Sequence, residues 1–284
     1  MGAAGFAPSA EMALPLAPEP SVLGLGPLVL GLGVALVLFT VAWLVHLALE
    51  DASIVDPLWG PAFLVVTVAY LVATGGSGPR RTLLLTLVAL WGLRLGAYLL
   101  RRKWGEPEDH RYAAMRARWG ERRFPWLSLV IVFWLQAVIL WVVSWPLFQA
   151  VRADRPAGLT WLDGVGVVLF VVGFVFETVG DWQLARFKAD PANRGRVMDL
   201  GLWRYTRHPN YFGECVLWWG FGLIALATGF AEAWWTLVSP VAMTFLLLRV
   251  SGVSLLEETI EERRPRYREY VQRTNAFVPG WPKG

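Results

Sequence analysis

The stretch TWLDGVGVVLFVVGFVFETVGDWQL, Thr160–Leu184, decides what kind of protein this is. It is 25 residues long and apolar over most of that length, and about 20 apolar residues in a helix cross the hydrocarbon of a bilayer. Deep inside it stand two carboxylates, Glu177 and Asp181, four residues apart and therefore on one helical face. Ionisable groups at membrane depth are costly and face a bundle interior or a wet cavity, so this stretch predicts a membrane helix with a working face.

The rest of the chain agrees. It is 56% hydrophobic, holds 17 Trp, and is 17% charged where a soluble domain has about 25%. Cutting it at polar punctuation gives six more spans, at 22–49, 57–74, 82–100, 126–149, 211–228 and 234–252. The expected fold is all-α, a polytopic membrane protein of seven transmembrane helices. Residues 1–20, rich in Pro and Ala and without Lys or Arg, read as a loose tail ahead of a single membrane domain over 21–284.

Lys and Arg set the orientation. Eight lie between 101 and 123, six between 186 and 207 and six in the C-terminal tail, against four at 80, 81, 152 and 155. Short loops with excess Lys and Arg stay in the cytoplasm, which puts the N-terminus outside and the C-terminus inside. That basic face suits anionic lipid heads or an anionic cofactor, whereas nucleic acid is a poor reading. One cysteine, Cys215, excludes an internal disulfide and a metal site built on several thiolates, and no metal is expected. The loops are too short for a Rossmann unit of about 30 residues or more, so any nucleotide must be held by the helices and loops themselves.

Polar residues inside the spans are the site candidates. Asp56, in DASIVDPLWG, is placed to cap the helix that opens at Pro57 and to serve a site as well. Trp91, Arg94 and Tyr98 share a face of the third span, and Glu177 and Asp181 are available to neutralise Arg94 or Arg249. Gln136 reads as an interhelical hydrogen-bonding residue. The segment YTRHPNYFGE, Tyr205–Glu214, gathers Arg207, His208, Asn210, Tyr211 and Glu214, with Asn210 expected to cap the sixth helix. The arginines before it suit phosphate, and a helix N-terminus beside them adds to an anion site.

GLWRYTRHPNYFGECVLWWG resembles the C-terminal signature of the steroid 5α-reductase superfamily, which includes sterol reductases and, more distantly, isoprenylcysteine carboxyl methyltransferases. SIVDPLWG together with RHPNYFGE resembles a bacterial-type branch of it with a provisional unknown-function label, over about residues 50 to 280. The resemblance implies NADPH held by the C-terminal half, about 160–280, and a lipid-facing cavity for a hydrophobic enone taken from the bilayer of an inner or plasma membrane. It implies cofactor contacts at Asp181, Asn210, Tyr211 and Glu214, the last reading the nicotinamide amide. Arg207 and His208 belong to the sterol-reductase variant of the motif, and Arg194, Arg196 and Arg204 are candidates for the 2′-phosphate.

Where those reductases carry a Gln-Glu pair and a catalytic Tyr, this chain has Val55-Asp56 and Trp91. Asp56, Trp91 and Arg94 are accordingly the candidates on the substrate side. LLEETIEERRPRYREY resembles the Glu-Glu stretch of the methyltransferases, with Glu257 and Glu258 in the matching places. The expected activity is NADPH-dependent reduction of a carbon-carbon double bond in a lipid-like substrate. An S-adenosylmethionine methyltransferase and a non-enzymatic lipid-binding or transport protein are the alternatives.

Overall fold

The computed structural model describes residues 26–250 and 266–283. The first 25 residues, Glu257 and Glu258 lie outside the described residues. Within them the regular elements are helices: α1 (Gly26–Leu49), α2 (Trp59–Thr74), α3 (Pro79–Lys103), α4 (His110–Trp119), α5 (Phe124–Ser128), α6 (Leu135–Val143), α7 (Trp145–Arg152), α8 (Trp161–Ala189), α9 (Pro209–Leu226), α10 (Phe230–Ala233), α11 (Val238–Phe245) and α12 (Tyr267–Arg273). A π-helical turn, Leu129–Trp134, joins α5 to α6, and a 3-10 segment, Ala52–Leu58, leads into α2.

Among the described residues six helical stretches are long and apolar enough to cross a membrane: Gly26–Leu49, Ala52–Thr74, Pro79–Lys103, Phe124–Val143, Trp161–Ala189 and Phe230–Arg249. Their outward faces are apolar: Val37, Val72 and Val168 are 64%, 79% and 60% exposed. Lipid accepts such a surface, and every backbone group on it is satisfied inside its own helix. This is an integral membrane protein.

The expected span at 211–228 forms α9 but is not among the six. Pro209, Asn210 and Glu214 in its first turns lower its hydropathy, and it is mostly packed against protein, with Gly213, Leu217, Trp218, Gly220 and Phe221 buried. Two capping expectations are corrected. Asp51, not Asp56, caps the 3-10 segment, accepting from the Ser53 N–H, and Pro57 lies inside that segment. His208 occupies the N-cap position of α9 and no side chain caps it, because Asn210 turns away toward α8.

Two close helix contacts set the frame. Gly166, Gly173 and Gly180 recur every seventh residue on α8 and meet α9. A Cβ built on Gly173 would lie 2.4 Å from the Gly213 carbonyl oxygen, so the two backbones touch where any side chain would part them. Gly60 of α2 and Gly92 of α3 make a second contact of this kind. Around them Phe63, Trp91, Trp218 and Phe221 form an aromatic core, with Trp91 and Trp218 edge to face at 5.4 Å.

Candidate functional site

The site grows out of the α8–α9 contact. With glycine at the crossing, the first turns of α9 lie against the C-terminal half of α8. Asn210 and Glu214 thereby come beside Asp181 and Glu177. Asn210 Nδ2 donates to Asp181 Oδ1 at 3.1 Å. From α3, the Arg94 guanidinium pairs with Asp181 at 2.7 Å and with Glu177, and it lies over the Phe174 ring at 5.9 Å. Trp91 Nε1 donates to the other oxygen of Glu177 at 3.0 Å. Arg94 is thus the ligand of both Glu177 and Asp181, and Arg249 takes no part in this cluster.

Charge and hydrogen bonding are not closed here. Arg94 faces three carboxylates, since Glu214 lies within electrostatic reach of both Arg94 and Asp181. Glu214 has no hydrogen-bond or ion-pair partner among the described residues. Asn210 Oδ1 and Arg94 Nε are buried and likewise without a partner there. Buried polar atoms are nearly always satisfied, so the orphaned Asn210 Oδ1, beside the half-buried and unpaired Glu214 carboxylate, marks a place for a donor that is not part of the chain. The orphaned Arg94 Nε–H, on the same side chain, is a donor and waits for an acceptor.

Asp56 belongs to a second cluster. Its carboxylate accepts from Arg111 Nη2 and from the Tyr112 hydroxyl, each at 2.8 Å. Gln136 Nε2 donates to the Tyr112 oxygen at 3.3 Å, and the Gln136 carbonyl accepts from Trp59. Gln136 therefore bonds between helices, as its position in the sequence implied. Arg111 also holds Asp109 at 2.9 Å. Burial pushes the Asp109 carboxyl up, but the Arg111 hydrogen bonds outweigh it and hold the group below its ordinary value. Burial lowers the Arg111 guanidinium, and Asp109 and Asp56 more than reverse it. The Tyr112 phenol is driven upward by burial first and by the Asp56 charge second, so it keeps its proton.

Tyr211 stands between the clusters. Its ring is stacked parallel to His208 at 5.7 Å, and Glu214 and Asp181 from one cluster and Arg111 from the other act on its hydroxyl. The remaining motif residues go elsewhere. Arg207 donates to the carbonyl oxygens of Thr274 and Val271 at 2.8 and 3.3 Å, and its N–H bonds the Asn275 carbonyl, so it anchors the C-terminal strap. Tyr270 of α12 completes that anchor by bonding the Trp203 carbonyl. Arg194, Arg196 and Arg204 are exposed on the loop between α8 and α9, with Arg196 bonded to Asn193 at 3.3 Å. Trp91 is 1% exposed and packed on all sides.

The sequence alone did not assign Arg111 and Tyr112 to Asp56. They are 55 and 56 residues from it, and the cations around them read as interfacial charge. Among the described residues no group of three His, Cys, Asp or Glu has metal-binding geometry.

Residues 42–274 match the family described as protein of unknown function (DUF1295). The chain belongs to that family. It is 26% identical over 277 residues to the uncharacterized protein C594.04c of Schizosaccharomyces pombe, covering 89% of this chain and 80% of that one. It is also 41% identical over 64 residues, 22% of each chain, to a probable O-methyltransferase, ustE, of Ustilaginoidea virens. No solved structure matches at the same stringency.

Proposed function

We propose that this protein is a membrane-embedded reductase that uses NADPH to reduce a carbon-carbon double bond in a hydrophobic substrate drawn from the bilayer. In this reading α9 also crosses the membrane, giving seven spans with the N-terminus outside and the cofactor site at the cytoplasmic end. The observation that carries the reading is the pair of unmatched acceptors, Asn210 Oδ1 and Glu214, beside Asp181 and the stacked Tyr211. A nicotinamide carboxamide brings N–H donors to such a corner, and the residues present fit it.

NADPH bound there would supply the hydride. Arg194 and Arg204, exposed and without a carboxylate partner among the described residues, are the phosphate ligands in this reading; Arg207 is committed to the strap. Reduction of an enone also needs an acid that polarises the carbonyl. Trp91 does not serve, because its N–H is bound to Glu177 and an indole yields no proton. The Asp56–Tyr112 pair, which holds a phenolic proton between two oxygens, takes that role on the substrate side. Arg94 keeps the α8 carboxylates in place.

Two observations favour a second reading, a methyltransferase using S-adenosylmethionine. One is the partial match to a probable O-methyltransferase. The other is the surplus of carboxylates, three against Arg94 and the more loosely placed Arg102, which suits a ligand carrying positive charge. Thermal unfolding of the full-length protein in mild detergent separates the two. A ligand at 100 times its dissociation constant adds about 2.7 kcal/mol of stability. Stabilisation by NADPH is expected. A response to S-adenosylmethionine alone overturns the reductase reading, and a response to neither leaves a lipid-binding protein without this chemistry.

A further inference from the structure

The Lys and Arg residues from 103 to 123 divide into two sets. Lys103 binds Asp51 at 2.6 Å, Arg111 binds Asp56 and Asp109, and Arg116 binds Glu108 at 2.9 Å. These three are turned inward and neutralised. Arg118, Arg122 and Arg123 are turned outward, exposed, and without a carboxylate partner among the described residues. The one acid between them, Glu121, faces Arg116 at 3.5 Å.

Two exposed indoles bracket the outward set. Trp119, 44% exposed, lies under the Arg118 guanidinium at 5.7 Å. Trp126, 68% exposed, sits one turn into the span that begins at Phe124 and packs on Trp43 of α1 at 5.7 Å. The bond from Trp43 Nε1 to the Pro125 carbonyl, 2.7 Å, fixes that junction against the end of α1. Three guanidinium groups without a carboxylate among the described residues therefore stand where α4 gives way to a membrane span, at the depth where Trp marks the headgroup layer.

We propose that Arg118, Arg122 and Arg123, with Trp119 and Trp126, form a binding site for the phosphodiester headgroup of an anionic phospholipid. Guanidinium groups match phosphate oxygens in a bidentate way. The tryptophans cover the glycerol and upper acyl region, which a free phosphate or a soluble nucleotide does not have. The site lies apart from the corner assigned to a cofactor and does not rest on that assignment.

The test uses the full-length protein, delipidated in neutral detergent, with phosphatidylglycerol and phosphatidylcholine of the same acyl chains as probes. Lipid retention is read by native mass spectrometry and dissociation constants by titration. Preference for phosphatidylglycerol is expected. The triple variant Arg118→Gln/Arg122→Gln/Arg123→Gln should lose about a hundredfold of that affinity, from about 1 kcal/mol for each of three basic groups at a membrane surface. Arg152→Gln/Arg155→Gln should keep it. Equal retention of the two lipids overturns the site, as does equal loss in both variants. Displacement of phosphatidylglycerol by inorganic phosphate or NADPH shows a free-phosphate site and overturns the lipid assignment. If the triple variant fails to fold, Arg122→Gln/Arg123→Gln carries the same expectation in smaller measure, and unchanged preference there overturns it.

Discussion

Helices α3 and α8 are tied together twice, and the two ties differ. Arg80 meets Asp163 near one end of the pair, and Arg94 meets Glu177 nearer the other. The spacing is 14 residues on each helix, about 21 Å at 1.5 Å per residue, so the helices run parallel and in register. At the first tie the guanidinium grips Asp163 with two bonds, at 2.8 and 2.9 Å, and spends its other donors on the carbonyls of Pro156 and Gly158. Asp163 also closes a capping box with Thr160. All three guanidinium nitrogens of Arg80 are bonded. At the second tie three carboxylates face Arg94, with Arg102 also acting on Asp181, and Glu214 is unpaired and two buried polar atoms are unmatched. A closed ion pair builds a fold, whereas an open one waits for a ligand.

The largest effect should come from Arg94→Ala. It strands two buried carboxylates, and breaking one partner of a buried pair costs about 3–5 kcal/mol. Arg80→Ala should cost less, because it leaves one carboxylate, which keeps two Thr160 donors, whereas Arg94→Ala leaves two carboxylates with one donor each. Melting temperatures of the two variants in detergent check the order, and equal losses would break the distinction.

Gly173→Ala comes next. Its methyl group would lie 2.4 Å from the Gly213 carbonyl oxygen and 2.5 Å from the Leu217 nitrogen, so α9 must move and carry Asn210 and Glu214 with it. Overpacking of this kind costs about 1–3 kcal/mol, and the thermal response to NADPH should disappear. A variant that keeps the response would detach the site from the helix crossing.

Glu214→Gln should change stability by less than about 1 kcal/mol, since the change breaks no hydrogen bond or ion pair within the described residues and removes a like charge beside Asp181. It should nonetheless abolish ligand stabilisation. A full response to NADPH in that variant would remove Glu214 from the site.

The smallest effect is in the α4 clasp outside the membrane. Asp109 and Asp51 have carboxyl groups held below their ordinary values against the opposing effect of burial, by Arg111 for the first and by Lys103 and Ser53 for the second. A depressed carboxyl contributes its stability above the unfolded value of about 4 and loses it as pH falls through the folded one. Protection factors for hydrogen exchange in α4, corrected for the pH dependence of intrinsic amide exchange, should therefore fall below about pH 4 and stay flat from there to neutral pH. A fall in protection on the alkaline side would contradict the pairing.

Several of these features were legible before any coordinates. Long apolar runs require helices in a bilayer because lipid offers the backbone no partner, so the membrane fold follows from residues such as those of Gly26–Leu49 alone. The four-residue spacing of Glu177 and Asp181 placed them on one face, and Arg94 was one of two cations they might have met. The α9 segment was visible as a helix, but its caps were not, because Asn210 had two possible partners and the tertiary one won.

The sequence by itself therefore determined the membrane class, the helical faces and the concentration of polar chemistry at Asp181 and Asn210–Glu214. Only the tertiary structure decided which polar groups are spent and which remain open. Arg207, inside the motif, is consumed by the backbone of the strap at Val271 and Thr274, and Asp56 is held by Arg111 and Tyr112 from a helix more than fifty residues away. The physical reason is that hydrogen bonding and charge compensation are short-ranged in space but indifferent to distance along the chain. Local pattern can say where a charged group sits, and only its neighbours in the fold say whether it is free to act.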